Sequence, residues 1–165
     1  LTSAKITVYE KSMVGYVEFM GSCLYFDKDG MVVESSKEHY GSVPKVTGLQ
    51  MDYIVLNQKL PVVDDMIFQE LLQMTQYFSS TMITFGDMES DMISLVDGIH
   101  FDSHENVSCT IGDIEISFGS GEQMEGKLQE MHDILPKLYG RKGTLHLETY
   151  DETVTEPSYV FRNRE

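Results

Sequence analysis

The 165-residue sequence contains no tryptophan and only two cysteines, and no run approaches the ~18 apolar residues of a membrane span. Its start lacks the charged and then apolar pattern of a signal peptide. Lysine and arginine are absent between Lys59 and Lys127, a segment with thirteen Asp and Glu residues. With a formal net charge of −15, such a surface repels phosphate groups. We therefore expect neither nucleic acid nor an anionic membrane surface as a partner.

Length and composition predict a single domain. A chain of 165 residues, 41% of them hydrophobic, can bury a core that needs no disulfide or metal. Cys23 and Cys109 both fall in predicted strands, where they are either separate buried thiols or one disulfide. Because the first residue is Leu1 and not methionine, we expect the sequence to be a piece of a longer protein.

The stretch Lys5–Val33 predicts an antiparallel meander, around which the remaining elements are organised. Ile6 and Val8 recur with a period of two, which places one apolar row on one sheet face. The run Cys23–Phe26 is apolar throughout, as in a strand that is covered on both faces. The turn Asp27–Gly30 then reverses the chain, since glycine tolerates the positive φ that a hairpin needs.

Two helices are predicted from apolar spacing and end signals. Asp64 or Asp65 is the expected N-cap of the first, because a short carboxylate accepts free backbone N–H groups. The second is expected to open with a capping box of Ser120 and Gln123 and to end at Gly140. The apolar stripe of the first helix is Ile67, Phe68, Leu71, Leu72, Met74 and Phe78. The seam of the second is Met124, Leu128, Met131, Leu135 and Leu138.

Short strands occupy much of the remaining chain. They are predicted at Asp91–Leu95, Gly98–Phe101, Val107–Ile111 and Ile114–Phe118. Val43–Gly48 is expected to be extended, because Pro44 disfavours helix at the residue before it. Because strands separate the two helices, the predicted fold class is α+β. The expected architecture is a mostly antiparallel sheet, made of the meander and a C-terminal hairpin, packed by two α-helices.

The segment Gly121–Lys127 reads G-x-x-x-x-G-K, the pattern of a phosphate-binding loop. The next position holds Leu128, where such a loop needs a Ser or Thr hydroxyl for magnesium. Glu122 and Glu125 would also place negative charge against the phosphates. We therefore interpret the segment as a helix start and expect no nucleotide cofactor.

Other residues that could bind a metal ion or catalyse a reaction are also better explained by local structure. His100, Asp102 and His104 could ligate a metal, but we expect a turn there and interpret the stretch as a polar surface loop. The acidic run Asp87–Asp91 lacks the glycine and the final acid of an EF-hand loop. No hydrolase motif is present, and no carboxylate pair is singled out for glycoside cleavage. We predict no catalytic residue, no metal ligand and no cofactor.

The C-terminal residues predict a hairpin of Gly143–Tyr150 and Ser158–Arg162. A last strand can leave one edge open, and an open edge can accept a strand from a partner. The same edge can instead be guarded by charges such as Arg162 and Arg164, which is the reading that the sequence alone favours. If the edge binds, proline at Val160 should remove one of its donors.

An ordered set of short motifs carries a family resemblance. In chain order these are I-x-V-x-E followed by V-G-Y, Y-F-D-x-D-G-x-V, V-P-K-V-T-G, a strand at Ile114–Gly119 before a helix with Lys127-Leu128, and the terminal strand pair. Together they cover most of the chain. The set resembles the extracytoplasmic β domain of the FtsQ/DivIB cell-division family.

The resemblance implies a non-enzymatic divisome scaffold. Residues 1–165 would be a single extracytoplasmic β domain at the division septum, in a single-pass protein of the cell membrane. Its cytoplasmic tail, transmembrane helix and POTRA domain would lie outside this sequence. FtsB/DivIC-like and FtsL-like partners would bind by strand addition at the C-terminal edge during bacterial septation.

The resemblance also implies which residues meet the partner. They are Tyr150, Ser158, Tyr159, Val160, Phe161 and Arg162. Tyr150 matches the tyrosine that ends the family's D-L-R-Y strand, although the Asp and Arg of that motif are not kept. Tyr159 and Phe161 would be aromatic anchors of the interface.

A second hypothesis comes from the acidic middle segment, Asp87–Glu125. It is that the chain is a secreted hydrolase or a domain that binds a ligand or cation there. A pocket lined by carboxylates with raised pKa would favour this hypothesis. A pocket-free middle segment beside an open C-terminal edge would favour the scaffold.

Overall fold

The computed structural model describes residues 13–155 and 159–165. The strands are β1 (Met13–Phe19), β2 (Ser22–Asp27), β3 (Val32–Ser36), β4 (Lys45–Thr47), β5 (Met82–Phe85), β6 (Met88–Asp91), β7 (Gly98–Phe101), β8 (Val107–Ile111), β9 (Ile114–Gly119), β10 (Gly143–His146) and β11 (Val160–Asn163). The helices are α1 (Asp65–Ser80), the single turn α2 (Met92–Leu95) and α3 (Met124–Ile134), which continues as a 3-10 helix, Leu135–Leu138.

Nine strands form one sheet in the order β11-β10-β9-β8-β7-β4-β1-β2-β3, and β5 and β6 form a separate hairpin. Between described strands the large sheet has five antiparallel pairings and three parallel ones. The predicted α+β class with a mostly antiparallel sheet is therefore confirmed. The parallel pairings β1–β4, β4–β7 and β9–β10 were not predicted, because the apolar period of a strand does not reveal its neighbours' direction.

The predicted meander is confirmed for β1, β2 and β3, while Ile6 and Val8 lie outside the described residues. All four residues from Cys23 to Phe26 are buried, as a strand covered on both faces requires. Cys23 packs with Tyr16 and Tyr25 in a small cluster, whereas Cys109 belongs to the main core. Both cysteines are free thiols. Because they belong to separate clusters, the alternative of two buried thiols is the correct one.

Both long helices lie where the apolar spacing predicted them. Asp64 is the N-cap of α1, and its carboxylate accepts the Met66 N–H at 2.9 Å. The α1 stripe is buried except for Leu72, which is partly buried, and every seam residue of α3 and the 3-10 helix is buried. The last turn tightens at Pro136, and Gly140 follows with a φ of 79°.

The predicted capping box at the second helix is wrong. Gln123 has a left-handed φ of 54°, and α3 begins one residue later without a side-chain cap. The Ser120 hydroxyl accepts the Glu122 N–H at 3.4 Å instead of an N–H in the helix. The chain thus makes a separate loop before α3, which a match of residue types three positions apart does not detect.

The strand predicted at Asp91–Leu95 is also wrong. Asp91 ends β6, and the next four residues form the helical turn α2. Met92 and Val96 are both buried, a spacing of four that suits one face of a helical turn. The Met92 N–H donates to the Thr81 carbonyl at 2.9 Å, which fixes this turn beside the end of α1.

The helices cover one face of the large sheet. On that face a row of cross-strand neighbours runs from β4 to β11, and all but the last residue are buried. The row consists of Val46, Ile99, Cys109, Ile116, Leu145 and Phe161. It ends at β11, so the core is continuous up to the edge of the sheet.

Candidate functional site

Strand β11 forms one end of the nine-stranded sheet, and within the described residues it pairs only with β10. The pairing is antiparallel and places Phe161 opposite Leu145 and Val160 opposite His146. Strand β10 also pairs with β9, so it has a neighbour on each side. The terminal strand therefore lies at an edge, as the sequence predicted, and its outer side has no neighbouring strand among the described residues.

The backbone groups of β11 divide between an inner and an outer side. The Arg164 N–H donates at 2.8 Å to the carbonyl of the residue just before β10. In an antiparallel ladder, the residue pairs that exchange hydrogen bonds alternate along the strand. Arg162 and Val160 therefore bond inward to β10. The N–H and C=O groups of Phe161 and Asn163 point outward, where a partner strand would pair.

This assignment corrects the expected effect of a proline at Val160. The Gly143 N–H donates at 3.1 Å to the Asp113 carbonyl, which lies just before β9. The Leu147 N–H donates at 2.9 Å to the Ser117 carbonyl in β9. The intervening Thr144 and His146 therefore present their backbone groups to β11. Val160 pairs with His146, so proline there would break the inner ladder rather than remove an outward donor.

The side chains at this edge have different environments. Phe161 packs against the core, and the guanidinium carbon of Arg141 lies 4.6 Å from its ring centroid. Tyr159 and Val160 are 40% and 48% exposed. The prediction of two aromatic anchors is therefore modified, because Phe161 is already engaged by the protein's own core. Tyr159 remains the aromatic side chain available to a partner.

Two of the other predicted contact residues are not part of the outward edge. Tyr150 lies four residues beyond the end of β10, and its N–H donates to the Leu147 carbonyl at 3.1 Å. Its ring packs against Gly126 in α3, where a Cβ atom would collide with it. Ser158 lies outside the described residues.

The corner of the molecule that contains β11 is basic. Arg141, Lys142, Arg162 and Arg164 all belong to β11 or to the segments that flank β10 and β11, and all four are exposed. The Arg141 guanidinium donates to Asn163 Oδ1 at 2.6 Å. Arg164 donates to the Asp113 carbonyl at 3.0 Å and lies 3.9 Å from the Asp113 carboxylate, so its charge is partly neutralised. In a chain of net charge −15, this corner would attract carboxylates of a partner.

The segment that imitates a phosphate-binding loop has a structural role. Leu128 is buried in the seam of α3, and Lys127 is only 3% exposed. The Lys127 Nζ donates to the Ser120 carbonyl at 3.0 Å, which ties the preceding loop to the helix. Burial lowers the pKa of Lys127, although the charge of Glu122 opposes this shift.

The three residues that could have ligated a metal make local contacts. His100 Nδ1 lies 2.8 Å from Thr47 Oγ1. The Asp102 carboxylate accepts the backbone N–H groups of His104 and Asn106, and these bonds lower the pKa of Asp102. Within residues 13–155 and 159–165, no group of three His, Cys, Asp or Glu side chains is arranged to hold a metal ion.

A cavity of about 520 Å³ lies between α1 and the loop before α3, and its lining includes Glu70, Glu105 and Glu122. One carboxylate oxygen of Glu70 is buried and has no hydrogen-bond partner in the described part of the chain. Burial raises the pKa of Glu70, as do the charges of Glu105 and Asp64, while Lys127 opposes them. The folded protein therefore disfavours the charged form of this side chain.

Replacing Glu70 with glutamine is expected to stabilise the protein at pH 7 by up to about 1 kcal/mol, since one pKa unit corresponds to ~1.4 kcal/mol and partial exposure reduces the effect. The wild type loses stability as the pH rises through the raised pKa of Glu70. The gain should therefore shrink on acidification and vanish below the ordinary value of 4.5. Urea unfolding at pH 7 and pH 4 measures it; an equal gain at both would contradict this cause.

Comparison with family models, curated proteins and solved structures finds no match for this chain. Among the helices in the described ranges, none combines the length and the apolar character needed to cross a membrane.

Proposed function

We propose that this chain is a non-enzymatic scaffold domain of the FtsQ/DivIB type. It binds FtsB/DivIC-like and FtsL-like partners by adding a partner strand to β11 during bacterial septation. The observation that carries the proposal is the outer side of β11, which has no neighbouring strand among residues 13–155 and 159–165. There, the N–H and C=O groups of Phe161 and Asn163 point away from the sheet.

The surroundings of this edge support strand addition. Tyr159 and Val160 offer exposed apolar surface beside the outward backbone groups. Pairing with β10 holds β11 in an extended conformation, so a partner would not have to order it first. The basic corner defined above adds attraction for acidic side chains, which mainly speeds encounter and fixes orientation.

The motif positions are also compatible with the resemblance. The Asp27 turn joins β2 to β3, and Asp27 Oδ1 accepts the N–H groups of Asp29 and Met31, both at 2.9 Å. The strand before the K-L motif is β9, and that motif lies in α3. The terminal strand pair is β10 with β11. In this proposal the domain lies at the septum on the extracytoplasmic side of the cell membrane, anchored by a segment outside this sequence.

Calorimetric titration of the protein with a soluble segment of an FtsB/DivIC-like protein tests the proposal. We expect saturable binding that weakens as salt is added, because part of the attraction comes from the basic corner. A scrambled segment of the same composition serves as the control. Absence of binding, or equal binding of both segments, would contradict the proposed partner.

One observation favours the second hypothesis, of a secreted hydrolase or a domain that binds a ligand or cation at the acidic middle segment. Glu105 and Glu122 of that segment line a cavity together with Glu70 of α1. The cavity beside Glu70 contains carboxylates, and the pKa of Glu70 is raised, as expected of a general acid. Thermal unfolding with and without short oligosaccharides tests this candidate. A shift in the wild type that disappears in Glu70→Gln would support a site there.

A further inference from the structure

The β5–β6 hairpin is separate from the nine-stranded sheet. A cavity of about 570 Å³ lies between β5 and the C-terminal end of α3 with the 3-10 helix that continues it. Large apolar side chains at this cavity are poorly covered. Met82 and Tyr139 are 50% and 59% exposed, and Met88 at the hairpin tip is 70% exposed. We call this cavity the hairpin groove; its lining residues used below are Met82, Thr84, Glu89, His132, Pro136 and Tyr139.

Negative charge surrounds the hairpin groove. Residues 82–91 contain Asp87, Glu89 and Asp91 and no Lys or Arg. Asp91 lies directly opposite Met82 in the hairpin, so a carboxylate flanks an exposed apolar side chain on the same face. Lys137, which follows Pro136 in the sequence, is outnumbered by these three carboxylates. The charge of the groove therefore complements a basic ligand and repels an acidic one.

The groove also contains unpaired backbone groups. A two-residue turn joins β5 and β6, so Phe85 and Met88 exchange hydrogen bonds and the bonded pairs alternate from there. The backbone groups of Met82 and Thr84 consequently point away from β6. His132 Nε2 lies 3.0 Å from the Met82 carbonyl, as this orientation requires. For Thr84, the described residues offer no partner to the outward N–H or C=O.

We propose that the hairpin groove docks a basic peptide segment of a partner protein, one in which a large apolar side chain lies between Lys and Arg residues. The apolar side chain packs between Met82 and Tyr139, where the flexible thioether can adapt to its shape. The cations pair with Glu89 and Asp91, and Thr84 supplies backbone hydrogen bonds. The basic corner at β11 would repel the same segment, so this site is independent of the proposed function.

Fluorescence anisotropy with a fluorescein-labelled synthetic peptide, Lys-Arg-Lys-Leu-Arg-Lys-Arg, tests the proposal at low ionic strength. We expect saturable binding to the wild type. A control peptide with serine in place of leucine should bind at least about tenfold more weakly, since burial of a leucine side chain is then lost. Absence of saturable binding, or equal affinity of the two peptides, would overturn the proposal.

Four protein variants test where the peptide binds. Glu89→Lys and Met82→Ser should each weaken binding at least about threefold, through lost charge pairing and lost apolar contact respectively. Asp29→Lys makes the same change of net charge at the exposed turn after β2 and should leave the affinity unchanged. Equal weakening by Asp29→Lys and Glu89→Lys would show general attraction to an acidic protein and overturn the proposal. Asn163→Pro, at the β11 edge, should not affect this peptide.

Discussion

Replacing Leu128 with alanine is expected to lower the free energy of unfolding by about 2–5 kcal/mol, the range for a buried leucine. Leu128 is 1% exposed and lies in the seam that α3 packs onto the sheet. The smaller side chain leaves a cavity that its rigid neighbours fill only partly, because the core is close-packed. Urea unfolding followed by circular dichroism measures the change.

The matched control for this variant is Gln129→Ala, one residue along the same helix. Gln129 is exposed, and its side-chain amide donates to Asp133 at 3.1 Å. Its loss should cost less than about 0.5 kcal/mol, the usual range for surface positions. Equal urea midpoints for Leu128→Ala and the wild type would mean that the seam of α3 does not face the core.

The sequence was most informative where one physical requirement decides the structure. A stripe with a period of 3.6, such as Ile67, Leu71, Met74 and Phe78, has to be buried, and all four residues are. The run from Cys23 to Phe26 likewise has to be covered on both faces, and it is. Burial of these residues does not depend on where the other strands lie, so their spacing alone predicted it.

The elements that were missed depend on contacts between distant segments. The β5–β6 hairpin has a short, polar second strand, and it forms because Ile83 and Phe85 pack against the core. The loop before α3 is fixed by the hydrogen bond from Lys127 Nζ to the Ser120 carbonyl. The residue types of a capping box do not predict this bond. The parallel pairing of β10 with β9 likewise cannot be predicted from a single sequence.

For the candidate site, the sequence predicted that the terminal strand lies at an edge but not which of its groups point outward. That distinction comes from the alternation of hydrogen-bonded pairs, counted from the bond that Arg164 makes to the residue before β10. The backbone N–H groups that point outward are therefore those of Phe161 and Asn163, and not that of Val160. The basic corner had a sequence signal, since all three arginines lie in the last quarter of the chain.

Replacing Asn163 with proline is expected to lower the affinity for the FtsB/DivIC-like segment at least about tenfold, or ~1.4 kcal/mol. The substitution removes an outward N–H that would bond the partner strand, and a hydrogen bond is worth about 0.5–1.5 kcal/mol. The proline ring also occupies space that the partner backbone needs. An edge strand tolerates proline when its N–H faces solvent, so the fold should persist. Calorimetric titration with circular dichroism as the folding control measures the effect.

The matched control is Asn163→Ala, which removes the side chain that accepts from Arg141 but keeps the backbone N–H. We expect this variant to bind within about threefold of the wild type, because a single exposed hydrogen bond contributes little. If both variants weaken binding equally, the side chain and not the backbone mediates the contact. If Asn163→Pro is folded and binds like the wild type, no partner strand pairs at that position.

Amide hydrogen exchange along β11, with and without a saturating concentration of the partner segment, tests strand addition most directly. In the free protein the inward amides of Val160 and Arg162 should exchange more slowly than the outward amides of Phe161 and Asn163. In the complex the two outward amides should slow by at least about tenfold, since each gains a hydrogen bond. Unchanged exchange of Phe161 and Asn163 in a saturated complex would contradict strand addition at β11.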